Sequence, residues 1–400
     1  FGGNLLSDNQ QLQEIEQTSY VIDSAYARDL LAGRFSIRGS FATFTEDRVN
    51  NEDEIDFEDE EVGQERELTD LSDDEFTLEL AQSWNLSDAT TFETGVYWQD
   101  KQRDLTLLAG DQDISFADNW DQFSRSPFEL RTGLPDVEPV DAGVNTIEEN
   151  RLDLYGVFNG EQGAIAWEAG LRLETTDTTI TDETVGQSVD NDYQFLLPSV
   201  SLKYELSEKG RITAAVARTV RRPDFGFINP ALLEGEIEDD DLLGNPALKP
   251  ENAVGLDIGY ERRITGNGVI GVNFFYRTVD DLIELVNTGV EGSDGPGTTV
   301  YQPQNVGDGN IYGMEIDLSL PLTGLGLENT GVFANYATST TNQTTCSILA
   351  SSSRFLNQTQ PSVLPTANKA TLSAGFLPRK SAHTTVRILK PLWKRVSATS

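Results

Sequence analysis

Apolar and polar side chains alternate with a period of two residues along much of this chain, and that pattern is satisfied only by extended strands with two unlike faces. Between 254 and 261, Val254, Leu256, Ile258 and Tyr260 take one face while Gly255, Asp257, Gly259 and Glu261 take the other. A slip of one residue would exchange the faces, so the register is firmly specified. The following segment repeats the pattern, with Ile270, Val272, Phe274 and Tyr276 against Gly271, Asn273, Phe275 and Arg277. Thr265-Gly266-Asn267-Gly268 is the expected tight turn of the resulting hairpin. The same alternation marks Trp167 to Glu174 and Tyr312 to Ser319, with weaker copies near 35–44, 76–84, 92–99, 150–158, 197–206 and 211–218.

The connections fall into two classes. Leu86-Ser87-Asp88-Ala89, Asn159 to Gly163, Ser207-Glu208-Lys209-Gly210 and the 265–268 segment are short, whereas 45–75, 105–148, 175–192, 219–250 and 280–308 are long, polar and acidic. Short and long connections in alternation are what an up-and-down barrel needs, with tight turns at one end and extended loops at the other. Trp98, Trp167, Tyr204, Tyr260, Phe274, Tyr276 and Tyr312 lie on the apolar faces, where they would form interfacial girdles. A β-sandwich core also buries aromatics, and that alternative stays open on alternation alone. The fold class expected is all-β, an antiparallel up-and-down transmembrane barrel of which about 12–14 strands are present.

Composition narrows the function classes. Mean hydropathy is −0.37, and no apolar run approaches the roughly 18 residues that a membrane-spanning helix requires. A barrel remains compatible, because its polar interior rows dilute the average. One Cys (Cys346), one His (His383) and one Met (Met314) leave no ingredients for a disulfide framework, a Cys/His metal cluster or a Ser-His-Asp triad. Paired carboxylates of the glycosidase kind are conceivable, but no pair stands out among 66 acids. No catalytic residue, cofactor site or metal site is assigned. The net charge of −37 argues against a nucleic-acid partner, since phosphate binding needs clustered Lys and Arg. The acidic runs at 46–75 and Asp239-Asp240-Asp241 lack the spaced ligands and central Gly of a Ca²⁺ loop and read as solvated surface.

The charge balance breaks near the C-terminus. All 66 acidic residues precede residue 329, while Arg354, Lys369, Arg379, Lys380, Arg387, Lys390, Lys394 and Arg395 follow it. The 339–400 stretch is expected to be an atypical basic tail, the product of a slipped reading frame after the strand-like Gly331 to Tyr336. Resequencing the encoding DNA tests this.

Three stretches resemble one family. They are Leu196-Leu197-Pro198-Ser199 through Glu205, Ala215 through Arg221-Arg222-Pro223-Asp224-Phe225, and Gly244-Asn245-Pro246-Ala247-Leu248-Lys249-Pro250-Glu251. Tyr276 to Ile283 and Asn305-Val306-Gly307 through Glu315 continue the likeness. This order of blocks resembles the barrel of TonB-dependent receptors, specifically over 145–338 and loosely over 1–144. Each block also has a structural reading: Pro223 and Pro250 suit strand edges, where a missing N–H leaves the ladder intact.

The resemblance implies an outer-membrane barrel of about 22 strands around an N-terminal plug, taking up a scarce ligand with energy relayed by TonB. The plug and TonB-contacting segment are expected to be absent here and to belong to a longer parent, as are the remaining strands, because an open sheet cannot rest in a bilayer. Expected partners are outer-membrane lipid and lipopolysaccharide, TonB through that plug, and a small-molecule or oligosaccharide ligand such as siderophore-bound iron. Val254, Leu256 and Ile258 would meet lipid; Asp257, Glu261, Asn273, Arg277, Glu315 and Asp317 would line the lumen. Arg218, Arg221 and Arg222 form a basic cluster that could touch an anionic ligand or lipopolysaccharide phosphate, against the plainer alternative of pairing with Asp224 or loop acids. A surface β-rich adhesin and a passive porin are the competing functions.

Overall fold

The computed structural model describes residues 7–30, 33–56, 61–115, 134–233, 240–264, 268–293, 295–322, 330–344 and 369–378. Cys346, His383, Asp239 and most of the 265–268 turn and of the basic tail lie outside them. The strands are β1 (Ser7–Leu30), β2 (Gly33–Asp56), β3 (Glu61–Ser87), β4 (Thr90–Ser115), β5 (Glu138–Gln162), β6 (Ile165–Asp182), β7 (Gln187–Ser207) and β8 (Gly210–Arg221). A one-turn helix α1 (Phe225–Ile228) and two short strands follow, β9 (Leu232–Leu233) and β10 (Asp241–Leu243). Then come β11 (Glu251–Ile264), β12 (Gly268–Asp280), β13 (Ile283–Gly292), β14 (Gly295–Asn305), β15 (Asp308–Pro321), β16 (Thr330–Thr344) and β17 (Lys369–Pro378).

Thirteen strands form one antiparallel sheet in the order β1 to β8, β11, β12, β15, β16, β17. Each strand pairs with its neighbour in sequence, apart from the segments that leave the sheet between β8 and β11 and between β12 and β15. This is the up-and-down topology that the alternation implies, and the strand number falls in the expected range. Among the described residues no pairing joins β17 to β1.

The registers put the apolar rows side by side. Leu202 faces Ala214, Val216 faces Leu256, Ile258 faces Phe274 and Tyr276 faces Tyr312. These side chains stand out into the surroundings: Val254 is 45% exposed, Ile258 45%, Phe274 54% and Leu171 49%. The opposite face carries cross-strand ion pairs, with Arg277 Nη2 at 2.7 Å from Asp257 and Arg211 Nη2 at 2.8 Å from Glu261. The sheet is thus built with its greasy side outward, the reverse of a water-soluble sandwich.

The tight turns have local chemistry to match. Ser207 Oγ accepts from the N–H groups of Lys209 and Gly210, at 3.3 and 3.1 Å, and Ser87 Oγ accepts from Ala89 N–H at 3.2 Å. Gly163 supplies a positive φ of 63° in the β5–β6 turn.

The long connections correct the sequence reading. Residues 45–75, expected as an acidic loop, are mostly strand: β2 runs to Asp56 and β3 resumes at Glu61, paired throughout. The 175–192 segment is likewise strand on both sides of a turn at 183–186. The acids at 46–75 also have partners rather than only solvent, since Arg103 donates twice to Asp73 at 2.6 Å and Gln64 donates to Asp53 at 2.7 Å. The physical reason is that both faces of these hairpin ends carry polar side chains, so no apolar row signals a strand whose ladder is nevertheless complete.

Candidate functional site

The two motif-bearing connections, 222–250 and 281–307, do not wave free. β13 and β14 form a hairpin, β14 pairs in parallel with β10, and β10 pairs with β9, giving a second sheet of four strands assembled from both connections. Side chains fasten the two together. Asn245 Nδ2 donates to the Pro303 carbonyl at 3.0 Å, and Asn305 Nδ2 donates to the carbonyls of Lys249 (3.0 Å) and Asp281 (2.8 Å). Asp240 Oδ1 accepts from Thr299 N–H and Oγ1, both at 2.8 Å, while Asp241 takes both the N–H (2.7 Å) and hydroxyl (2.9 Å) of Ser293. The acidic run expected to be solvated surface is therefore, at Asp240 and Asp241, an internal clasp.

This assembly folds back over the polar face of the main sheet and forms a shelf on it. Ile228 and Leu248 pack against Ile147 of β5 and Ile180 of β6, all of them buried, with Phe225, Phe227 and Ile283 alongside. Phe225 lies 5.8 Å from Lys101 Nζ and 5.6 Å from the Arg103 guanidinium, both from β4. Asn145 Nδ2 donates to Asn229 Oδ1 at 2.8 Å, and β7 contributes Asn191 Nδ2 to the Pro246 carbonyl and Tyr193 hydroxyl to the Leu248 carbonyl, each at 2.8 Å. Four consecutive strands thus hold the shelf.

The three candidate arginines part company. Arg218 points to the apolar face, beside Val216 and Val254, where Nε donates to Asn252 Oδ1 at 2.8 Å. Arg221 sits 3.6 Å from both Asp224 and Glu251 at the strand edge. Arg222 reaches the polar face, pairing with Glu174 of β6 and lying 3.5 Å from Glu149 of β5. There it joins Arg151, which bridges Asp153 at 2.6 Å and Glu174 at 2.8 Å, and Arg172, 2.8 Å from Asp153. Three arginines balance three carboxylates that are almost fully withdrawn from water, with Asp153 at 0% and Glu174 at 2% exposure. The network escaped sequence reading because its members are scattered from 149 to 222. Its one visible signal was an unbroken basic pair just before Pro223.

Gly244 is needed for close approach: a Cβ there would stand 1.8 Å from the Asn229 carbonyl oxygen. Gly244→Ala is expected to cost about 1–3 kcal/mol by forcing the backbones apart. Faster amide exchange across 225–248, with exchange in β11 and β12 unchanged, is the measurement that checks it.

Among known proteins, the profile of the Outer membrane protein beta-barrel family matches residues 29–387. The chain belongs to that family. It is also 29% identical over 138 residues to the ferric enterobactin receptor of Pseudomonas aeruginosa, a stretch covering 31% of this chain and 18% of the receptor. Similar solved structures include the ferric citrate transporter FecA, at 13% identity over 78% of this chain and 43% of that one, with a TM-score of 0.48. The copper transporter OprC matches at 13% identity over 83% of this chain and 61% of that one, with a TM-score of 0.49. The chain spans less than two-thirds of the length of each of these relatives.

Membership of the outer membrane barrel family assigns the faces: the apolar rows meet lipid, the polar face lines the lumen, and the shelf projects into it. On β5 and β7 the exposed apolar rows begin at Leu152 and Leu196, so Glu149 and Tyr193 lie beyond the spanning segments. Burial pushes the Glu149 carboxyl above its ordinary range, against the opposing pull of Arg222. Burial also pushes the Tyr193 hydroxyl up to about 12, which keeps it a donor to the Leu248 carbonyl.

Proposed function

We propose that this chain forms the wall of a TonB-dependent receptor that takes up a scarce ligand, siderophore-bound iron or an oligosaccharide of similar bulk. The observation that carries the reading is the shelf. Two connections leave the rim, lock into one sheet and seat on the inner face, so the lumen is furnished rather than left as an open bore. The partial likeness to a ferric enterobactin receptor favours an iron-carrying ligand. Residues 1–144 and 145–338 act as successive parts of one wall, and TonB couples to the parent protein through a plug that is not part of this wall. Lipid and lipopolysaccharide surround it.

Iron-starved cells carrying the parent gene are expected to accumulate labelled ferric siderophore, and to lose about all of that uptake when TonB is removed. Uptake that persists without TonB, or free diffusion of small sugars through the reconstituted protein, would overturn the reading in favour of a porin.

A further inference from the structure

At the short-turn end of β7, β8 and β11 the charge of this acidic chain reverses. Lys209 in the β7–β8 turn and Arg262 and Arg263 at the end of β11 are all exposed. The Arg263 N–H donates to the Lys209 carbonyl at 2.6 Å, which gathers the three cations on one corner. The neighbouring charges cancel among themselves, Lys203 with Glu205 at 2.7 Å and Arg211 with Glu261 at 2.8 Å. Lys209, Arg262 and Arg263 are then opposed by Glu208 alone, and among the described residues none of the three has a carboxylate within ion-pair distance.

The level at which this corner sits is set by the row above it. Tyr204, Ile212 and Tyr260 face one another across β7, β8 and β11 and are exposed on the lipid side. Tyrosines in such a row place their rings at the edge of the hydrocarbon and their hydroxyls among the headgroups. The cations lie one or two residues nearer the turn than Tyr260, and so at headgroup height. The other short turns differ in charge: Asp88 and Glu93 mark the β3–β4 end, and Glu161 and Glu168 the β5–β6 end. The patch is therefore local, in a chain whose net charge is −37.

We propose that Lys209, Arg262 and Arg263 hold the headgroup of an anionic phospholipid in the leaflet on the short-turn side, with Tyr204 and Tyr260 flanking its acyl chains. Arg presents a planar fork of donors to phosphate, and the free ammonium of Lys209 adds a point charge. The site belongs to the barrel's outer surface, so it stands whether or not the proposed uptake does.

The full chain, extracted in mild detergent and exchanged into equal phosphatidylglycerol and phosphatidylethanolamine, is expected to retain phosphatidylglycerol preferentially by native mass spectrometry. Each cation removed should lower that preference about fivefold, the factor equivalent to the ~1 kcal/mol of one Lys or Arg at an anionic surface. The combined K209Q, R262Q and R263Q variant should show no preference, while K249Q, at the opposite end, should behave as the original chain. Undiminished preference in the triple variant would overturn the proposal. So would a loss matched by K249Q, or retention of lipopolysaccharide in place of phospholipid at these three residues.

Discussion

Arg222→Met is expected to lift the shelf from the lumen wall at a cost of about 3–5 kcal/mol, the range for removing one partner of a buried ion pair. Arg222 is the only member of the inner network contributed by the shelf; Glu149, Arg151, Asp153, Arg172 and Glu174 all belong to β5 and β6. Glu174 keeps Arg151 at 2.8 Å after the substitution, so the larger penalty falls on Glu149. Its carboxyl is already raised by burial with Arg222 present, and it rises further without that cation. A raised carboxyl stabilises the folded state below its unfolded pKa and loses that contribution as pH climbs through the folded value. The deficit of Arg222→Met should therefore shrink at mildly acid pH and be largest at neutral pH and above. Arg222→Lys keeps the charge but not the fork and should fall between. Amide exchange over 225–248 and denaturant midpoints of the refolded chain read both effects; unchanged exchange in Arg222→Met would show that Ile228 and Leu248 hold the shelf unaided.

Ile258→Arg should cost about 2–4 kcal/mol in a bilayer, the penalty of a cation on the lipid face near its mid-depth. Its neighbour Asp257 faces the other way, toward Arg277 at 2.7 Å, where both side chains are about one-third exposed. Asp257→Asn should therefore cost no more than about 1 kcal/mol, as for other solvated pairs. Adjacent residues with such unequal penalties are the energetic signature of a two-sided wall. Equal costs, measured by denaturant titration of the chain folded in lipid vesicles, would mean that one side is not lipid.

Where one face meets lipid, the sequence was transparent. Val254 to Tyr260 and Ile270 to Tyr276 alternate because every second residue must be apolar, and their observed pairing follows that register. The upper halves of β2, β3 and β6 were opaque for the same reason inverted. Thr175, Thr176, Thr178 and Thr179 form a ladder with 188–194, but no greasy row marks them. The shelf was visible only as a run of Asn, Pro and Gly around 244–250. Its architecture depends on partners some 58 residues away, such as Pro303 for Asn245, and no local period records such distances. The arginines misled through proximity: Arg221 and Arg222 are adjacent in sequence, and successive side chains at a strand end point to opposite sides.

The strands differ greatly in length, with 24 to 27 residues in β1 to β4 against 12 to 14 in β8, β11, β12 and β15. At about 3.3 Å per residue, the first group overtops the second by roughly 40 Å. The mouth is accordingly a slope, with a tall, negatively charged fence on one flank and a low sill on the other. A solute with little positive charge will meet least resistance arriving sideways across the sill, where the β8–β11 and β12–β15 connections already bend inward to receive it.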